Sequence, residues 1–237
     1  MEGFRERLES VRQRIAAAAR RSGRSPDSVA LVAVTKTVDA GRIRAAMEAG
    51  LTRFGENRVQ EARRKAEALG AGAEWHLVGH LQRNKSREAA RIFSMIHSVD
   101  SPELLHELER HAAGRERPLE VLIQLNLAGE ESKHGARAED LPSLLASAAP
   151  LQAVRIAGLM ILPPQEDDPE DSRRYFRELS GLAAAVRGER YENVEMRELS
   201  MGMSEDFEVA VEEGATLIRV GRALFGERPP QGGKEME

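Results

Sequence analysis

The sequence predicts an α/β fold, a single (β/α)8 TIM barrel, and three observations lead there. Short apolar runs alternate with segments of helical periodicity along the 237 residues. Eight such runs are separated by seven helical segments, which implies parallel pairing through crossovers. No G-x-G-x-x-G or Walker loop occurs, so a closed barrel is favoured over an open doubly wound sheet.

The elements follow in order. Phe4, Leu8, Val11 and Ile15 recur at helical spacing with Arg and Glu between them, predicting an extra amphipathic N-terminal helix over 3–22 that Gly23 and Pro26 close. Strands are predicted at 29–35, 52–55, 74–79, 94–99, 119–126, 154–160, 195–199 and 216–220. Helices are predicted near 39–49, 57–69, 82–91, 101–113, 137–148, 170–187 and 204–213. No linker or internal repeat divides residues 1–226, which read as one barrel domain, and 163–169 is a polar loop after the sixth strand. The segment 227–237, rich in Pro, Gly and charge, reads as a disordered tail.

Composition excludes several classes of function. The formal net charge of -4, with arginines and carboxylates interspersed, gives no one-sided basic field for nucleic acid or an anionic membrane. Cysteine is absent, which removes disulfides, thiolate nucleophiles and cysteine metal sites. The first residues are charged and lack a signal-peptide apolar region, and no run approaches the ~20 residues of a membrane span. The expectation is a soluble cytoplasmic protein.

Chemistry concentrates at the predicted strand ends. Val29-Ala-Leu-Val-Ala-Val-Thr-Lys36 reads as a buried strand ending in a lysine at the barrel mouth, where a partly dehydrated amine is nucleophilic toward aldehydes. Alone, the motif equally describes a solvated strand stopper. In such barrels phosphate often binds after strands seven and eight. There Ser200, Gly202 and Ser204 follow one strand, and Arg219, Gly221 and Arg222 belong to the other. Gly202 permits close backbone approach, Ser200 offers a hydroxyl, and Gly221 with the amide of residue 222 completes an anion nest to which Arg222 adds a guanidinium. An aldehyde-reactive lysine facing a phosphate cradle suggests a phosphorylated aldehyde, and pyridoxal 5'-phosphate meets that description. Arg219, donor-only, would then favour an unprotonated pyridine and a weak electron sink. The competing reading of Arg219 is a buried ion pair with Glu198 or Glu56.

Other constellations read as structural. His76 and His80 flank a predicted strand end, where a spacing of four no longer directs both at one metal ion, so no metal is expected. Gln82, Asn84 and Lys85 read as a solvated helix start and Lys133 as a surface loop residue.

Several segments, in order, resemble the pyridoxal phosphate homeostasis proteins. These are Val34-Thr-Lys36-Thr, Phe54-Gly-Glu-Asn57-Arg-Val-Gln60-Glu61, Trp75-His76-Leu-Val-Gly79-His-Leu-Gln82-Arg-Asn84-Lys85, Gly158-Leu-Met160, Ser200-Met-Gly202-Met-Ser204-Glu-Asp206 and Ile218-Arg219-Val-Gly221. The resemblance runs from the first helix to Gly226. It implies a barrel like the N-terminal domain of alanine racemase, without the second domain that supplies that enzyme's opposing tyrosine. It also implies pyridoxal phosphate as a Schiff base on Lys36, a ring-nitrogen contact from Arg219, phosphate contacts from Ser200, Gly221 and residue 222, and Asn57 near the ring. Two departures matter: Arg222 replaces a usual Ser or Thr, and Val38 replaces a lysine many relatives carry.

The function implied is storage, protection or delivery of pyridoxal 5'-phosphate in vitamin B6 homeostasis, without turnover. Partners implied are the cofactor itself and, as candidates, apo-enzymes that use it or B6-salvage enzymes. The alternatives are a pyridoxal-phosphate-dependent racemase or related enzyme, with Lys36 as proton shuttle, and a Schiff-base aldolase. The aldolase leaves the Trp75-to-Lys85 segment without a purpose.

Overall fold

The apolar runs close into a barrel of eight parallel strands in sequential order, β1 pairing with both β2 and β8. The structure, a computed structural model, describes residues 2–130, 133–189 and 191–226; the segment 227–237 read as a tail lies outside the described residues. The strands are β1 (Ala30–Val34), β2 (Arg53–Glu56), β3 (Glu74–Leu77), β4 (Met95–Val99), β5 (Leu119–Leu125), β6 (Val154–Ile161), β7 (Val194–Ser200) and β8 (Leu217–Val220).

The helices are α1 (Glu2–Arg21), α2 (Ala40–Glu48), α3 (Val59–Leu69), α4 (Ser86–Ile92), α5 (Pro102–Ala112), α6 (Leu141–Ala146), α7 (Arg173–Gly188), α8 (Phe207–Glu212) and α9 (Arg222–Phe225). Local chemistry starts several of them. Asp39 caps α2 by accepting from the Arg42 amide at 3.0 Å, and Ser101 caps α5 just before Pro102. Three differences from the sequence reading are local. The 82–91 helix opens with a 3-10 turn at Arg83–Lys85, and 137–148 narrows to α6 behind another such turn. The four-residue α9, too short for a periodic signal, was not foreseen.

Period-two alternation divides the apolar residues into two layers. Val32, Val78, Met95, Leu122, Ala157, Met160 and Leu217 fill the barrel interior. Phe54, Leu77, Ile96, Val121, Ile156 and Ile218 belong instead to the larger core between strands and helices. The helix α1 lies over α8 and α9, with Phe4 stacked on Phe225 at 5.4 Å and Arg14 paired with Glu208 at 2.7 Å. The strands' C-terminal ends are thus left to their loops, and these loops position the site.

Candidate functional site at the barrel mouth

Along β1, Ala30, Val32 and Val34 all face the interior cluster, so the same alternation puts Lys36 on the interior row just beyond the strand's C-terminal end. Lys36 is half-buried. On the neighbouring β8, Leu217 faces the interior, and Arg219 and Gly221 continue its row. Arg219 is in register with Val32, and a Cβ at Gly221 would lie 3.4 Å from the Val34 carbonyl oxygen. Lys36, Arg219 and Gly221 therefore lie along two adjacent strands at one end of the barrel.

Asn57 joins them from β2. A Cβ at Gly55 would lie 3.1 Å from Val32 Cγ1, inside the barrel, so Asn57 two residues on returns to the interior row. The chain after β3 passes so close to the Asn57 backbone that a Cβ at position 79 would come within 2.5 Å of its carbonyl oxygen. Only glycine fits there, which gives Gly79 in the Trp75-to-Lys85 segment a packing reason.

Arg219 is 3% exposed and held by neutral acceptors, NH1 donating to Ser200 Oγ at 2.6 Å and NH2 to the Ile161 carbonyl at 2.8 Å. Burial pulls its pKa down to about 10, an effect opposed by Asp206, so it stays charged at neutral pH. The ion pairs weighed for it have other owners: Glu56 binds Lys65 at 2.7 Å and Glu198 lies 3.4 Å from Arg197. Beneath Ser200 a chain of buried imidazoles continues, His97 Nδ1 2.8 Å from Ser200 Oγ and His97 Nε2 2.9 Å from His76 Nδ1. Burial drives both histidines toward the neutral form, His76 to about 4 and His97 well below its usual range, with nearby positive charge adding to the effect.

The residues expected to hold phosphate have the following partners. Ser200 is fully buried, and its hydroxyl is committed to Arg219 and His97 rather than turned toward the loop. Gly202, at φ +89°, owes its identity to packing: an added Cβ would lie 2.6 Å from Ala210 Cβ and 2.9 Å from Phe207 Cα of α8. The hydroxyl at the loop surface is that of Ser204, on which the amides of Gly221 and Ala223 converge, each at 3.3 Å. Two backbone donors thus converge on one oxygen, from Gly221 and Ala223 rather than from the expected pair 221 and 222. The Arg222 side chain is paired with Glu205 at 3.0 Å and is 46% exposed, so its guanidinium is engaged beside the cradle.

Other clusters at the mouth have different geometry. His80, Asp100 and His134 bring possible ligand atoms within 4.8 Å of one another. The two imidazoles, however, lie face to face at 3.6 Å and 7°, so their in-plane lone pairs run side by side instead of converging on one ion. Lys133 is tied to Glu130 at 2.9 Å and to the Pro163 carbonyl at 3.2 Å. At the opposite, N-terminal end of the barrel opens a cavity of about 500 Å³, lined by Arg53, Glu74, His76, Glu120, Arg197 and Glu198 among others. None of the mouth residues lines it.

Barrel, interior lysine and buried arginine define the class, and comparison with known proteins agrees. The family model described as "Alanine racemase, N-terminal domain" matches residues 7–229. A pyridoxal phosphate homeostasis protein of Aquifex aeolicus is 44% identical over 94% of this chain and 97% of its own, and one of Escherichia coli is 40% identical over 96% and 98%. The structure of PipY from Synechococcus elongatus with PLP bound superposes with a TM-score of 0.83 at 40% identity, covering 94% of this chain and all of the other. The chain belongs to the pyridoxal phosphate homeostasis protein family, within the alanine racemase N-terminal domain class.

Proposed function

We propose that this protein binds pyridoxal 5'-phosphate at the C-terminal mouth and serves vitamin B6 homeostasis by storing, protecting or delivering it inside the cell. The observation that carries the reading is the shared interior row: Lys36, Arg219 and Gly221 stand on adjacent strands at the same end of one barrel. The ligand has three recognition elements, an aldehyde, a pyridine nitrogen and a phosphate, and the residues present fit each. The Lys36 amine would hold the aldehyde as a Schiff base. The Arg219 guanidinium, with two of its five N–H groups used internally, has donors left for the ring nitrogen. The amides of Gly221 and Ala223 with the Ser204 hydroxyl would take the phosphate, together with the expected Ser200, and Arg222 adds charge at the rim. Asn57 stands beside the ring from β2.

The bound ligand would supply an electron sink, and a donor-only arginine at its ring nitrogen keeps that sink weak. We infer that the protein is a carrier without turnover. A racemase needs an acid and a base on opposite faces of the ring, and Lys36 provides one. His97, the buried imidazole nearest Arg219, spends both nitrogens on Ser200 and His76. The test is twofold: a visible Schiff-base band on adding the cofactor that is lost in Lys36→Ala, and chiral amino-acid analysis with Lys36→Ala as blank. Multiple turnovers of any proteinogenic amino acid would replace the carrier reading with that of an enzyme.

A further inference from the structure

We propose that Lys65, Glu61 and Glu56 form a clamp that positions Lys36, holding the backbone on both sides of the reactive residue and thereby setting how long the ligand is retained. The inference rests on Lys36 being the attachment point. The Lys65 side chain is 10% exposed, and its ammonium donates to the Thr35 carbonyl at 2.7 Å, to Glu56 Oε1 at 2.7 Å and to Glu61 Oε1 at 2.6 Å. An ammonium has three donors, so all are used. Glu61 Oε1 also accepts from the Thr37 amide at 2.8 Å, while the Thr35 hydroxyl donates to Glu56 Oε1 at 2.5 Å. The carbonyl before Lys36 and the amide after it are thus tied to one buried charge cluster built from β2 and α3.

Thr37 adds the second observation. Its φ of +67° is left-handed, which a β-branched residue rarely adopts and which persists only where surrounding contacts hold it. The Glu61 carboxylate on its amide is such a contact. Burial raises the Glu61 pKa, but the Lys65 bond and the Thr37 amide outweigh it and hold the group below its ordinary range, as expected of a carboxylate that must stay ionised to grip. With Thr35 and Thr37 fixed, Lys36 has a narrow range of approach. Re-formation of the Schiff base after each spontaneous hydrolysis then outruns diffusion of the aldehyde out of the mouth.

Glu61 is the member to test, because its side chain is 21% exposed whereas that of Glu56 is fully buried. Hydrogen exchange of the ligand-free protein and the rate of pyridoxal phosphate release to a trapping agent are compared for wild type, Glu61→Ala and Glu61→Gln. In Glu61→Ala the Thr37 amide loses protection and release accelerates about tenfold, the effect of one hydrogen bond to a charged acceptor. Glu61→Gln, whose amide oxygen still accepts from Thr37, restores both to within about threefold. Lost Thr37 protection with unchanged release overturns the clamp, as does equal release from Ala and Gln variants, even where the melting temperature falls. Absence of a Schiff base on wild-type Lys36 removes the underlying assignment instead, and the exchange measurement keeps the two failures apart.

Discussion

The Arg219 guanidinium donates to the Ser200 hydroxyl at 2.6 Å, and the same hydroxyl lies 2.8 Å from His97 Nδ1, so one serine joins the buried arginine to the buried imidazoles. Arginine can only donate, so Ser200 accepts from it, which leaves its single O–H available to His97 Nδ1. With the O–H given to that nitrogen, the His97 proton sits on Nε2, facing a bare His76 Nδ1. His76 then carries its proton on Nε2 and lines the cavity at the far end of the barrel. In that arrangement a line of oriented donors runs through the interior from the proposed ring-nitrogen contact to the opposite face.

Removing the link should be costly. Ser200→Ala strands a buried guanidinium donor and a buried imidazole acceptor, and unfolding measurements should show about 1–3 kcal/mol lost. Ser98, next to His97 on β4, provides the control: its buried hydroxyl has no hydrogen-bond partner, so Ser98→Ala should be neutral or mildly stabilising. Equal effects at the two positions would show that the Ser200 bonds carry little.

The same histidines make stability pH-dependent in a defined sense. The folded-state pKa of His76 is depressed to about 4 from an unfolded value of 6.5, and that of His97 lies well below its usual range. Groups held neutral in the fold but protonated when unfolded contribute stability that is present above pH 6.5 and lost as pH falls toward the folded value. Between about pH 6.5 and 5, before most carboxylates titrate, His76 should cost roughly 1.5 kcal/mol and His97 should add to it, seen as a falling melting temperature. A flat profile in that window would contradict neutral histidines.

The phosphate assignment separates side chain from backbone. With the amides of Gly221 and Ala223 as principal donors, Arg222→Thr and Arg222→Ala should keep affinity within about threefold. Ser204→Ala should weaken it about tenfold, and Arg222→Glu, which sets a second carboxylate beside Glu205, by a similar factor. Titration by absorbance measures all four. A large loss in Arg222→Ala with none in Ser204→Ala would move the phosphate from the nest to the guanidinium.

The barrel was legible because its signals are local. Eight apolar runs with helical segments between them dictate parallel crossovers, and strand ends differ from expectation by one or two residues at most positions. Lys36 and Arg219 were legible for the same reason: alternation from Val34 and Leu217 fixes their faces. The partners of Ser200 were not legible, because they include His97, 103 positions away, and no periodicity reports that meeting. His97 itself had a signal, alternation from the interior Met95 on β4, though not one that names its partner. Lys65 had none, since a lysine in an amphipathic helix reads as solvated until Thr35 and Glu56 are seen to close over it.

The central claim is that Lys36 holds the aldehyde of pyridoxal 5'-phosphate, and borohydride reduction followed by peptide mapping tests it most directly, because the hydride makes a Schiff base permanent. The account predicts the pyridoxyl mass on the peptide containing Lys36 and its loss in Lys36→Ala. Label found mainly on Lys85 or Lys133, or unchanged in Lys36→Ala, would contradict it.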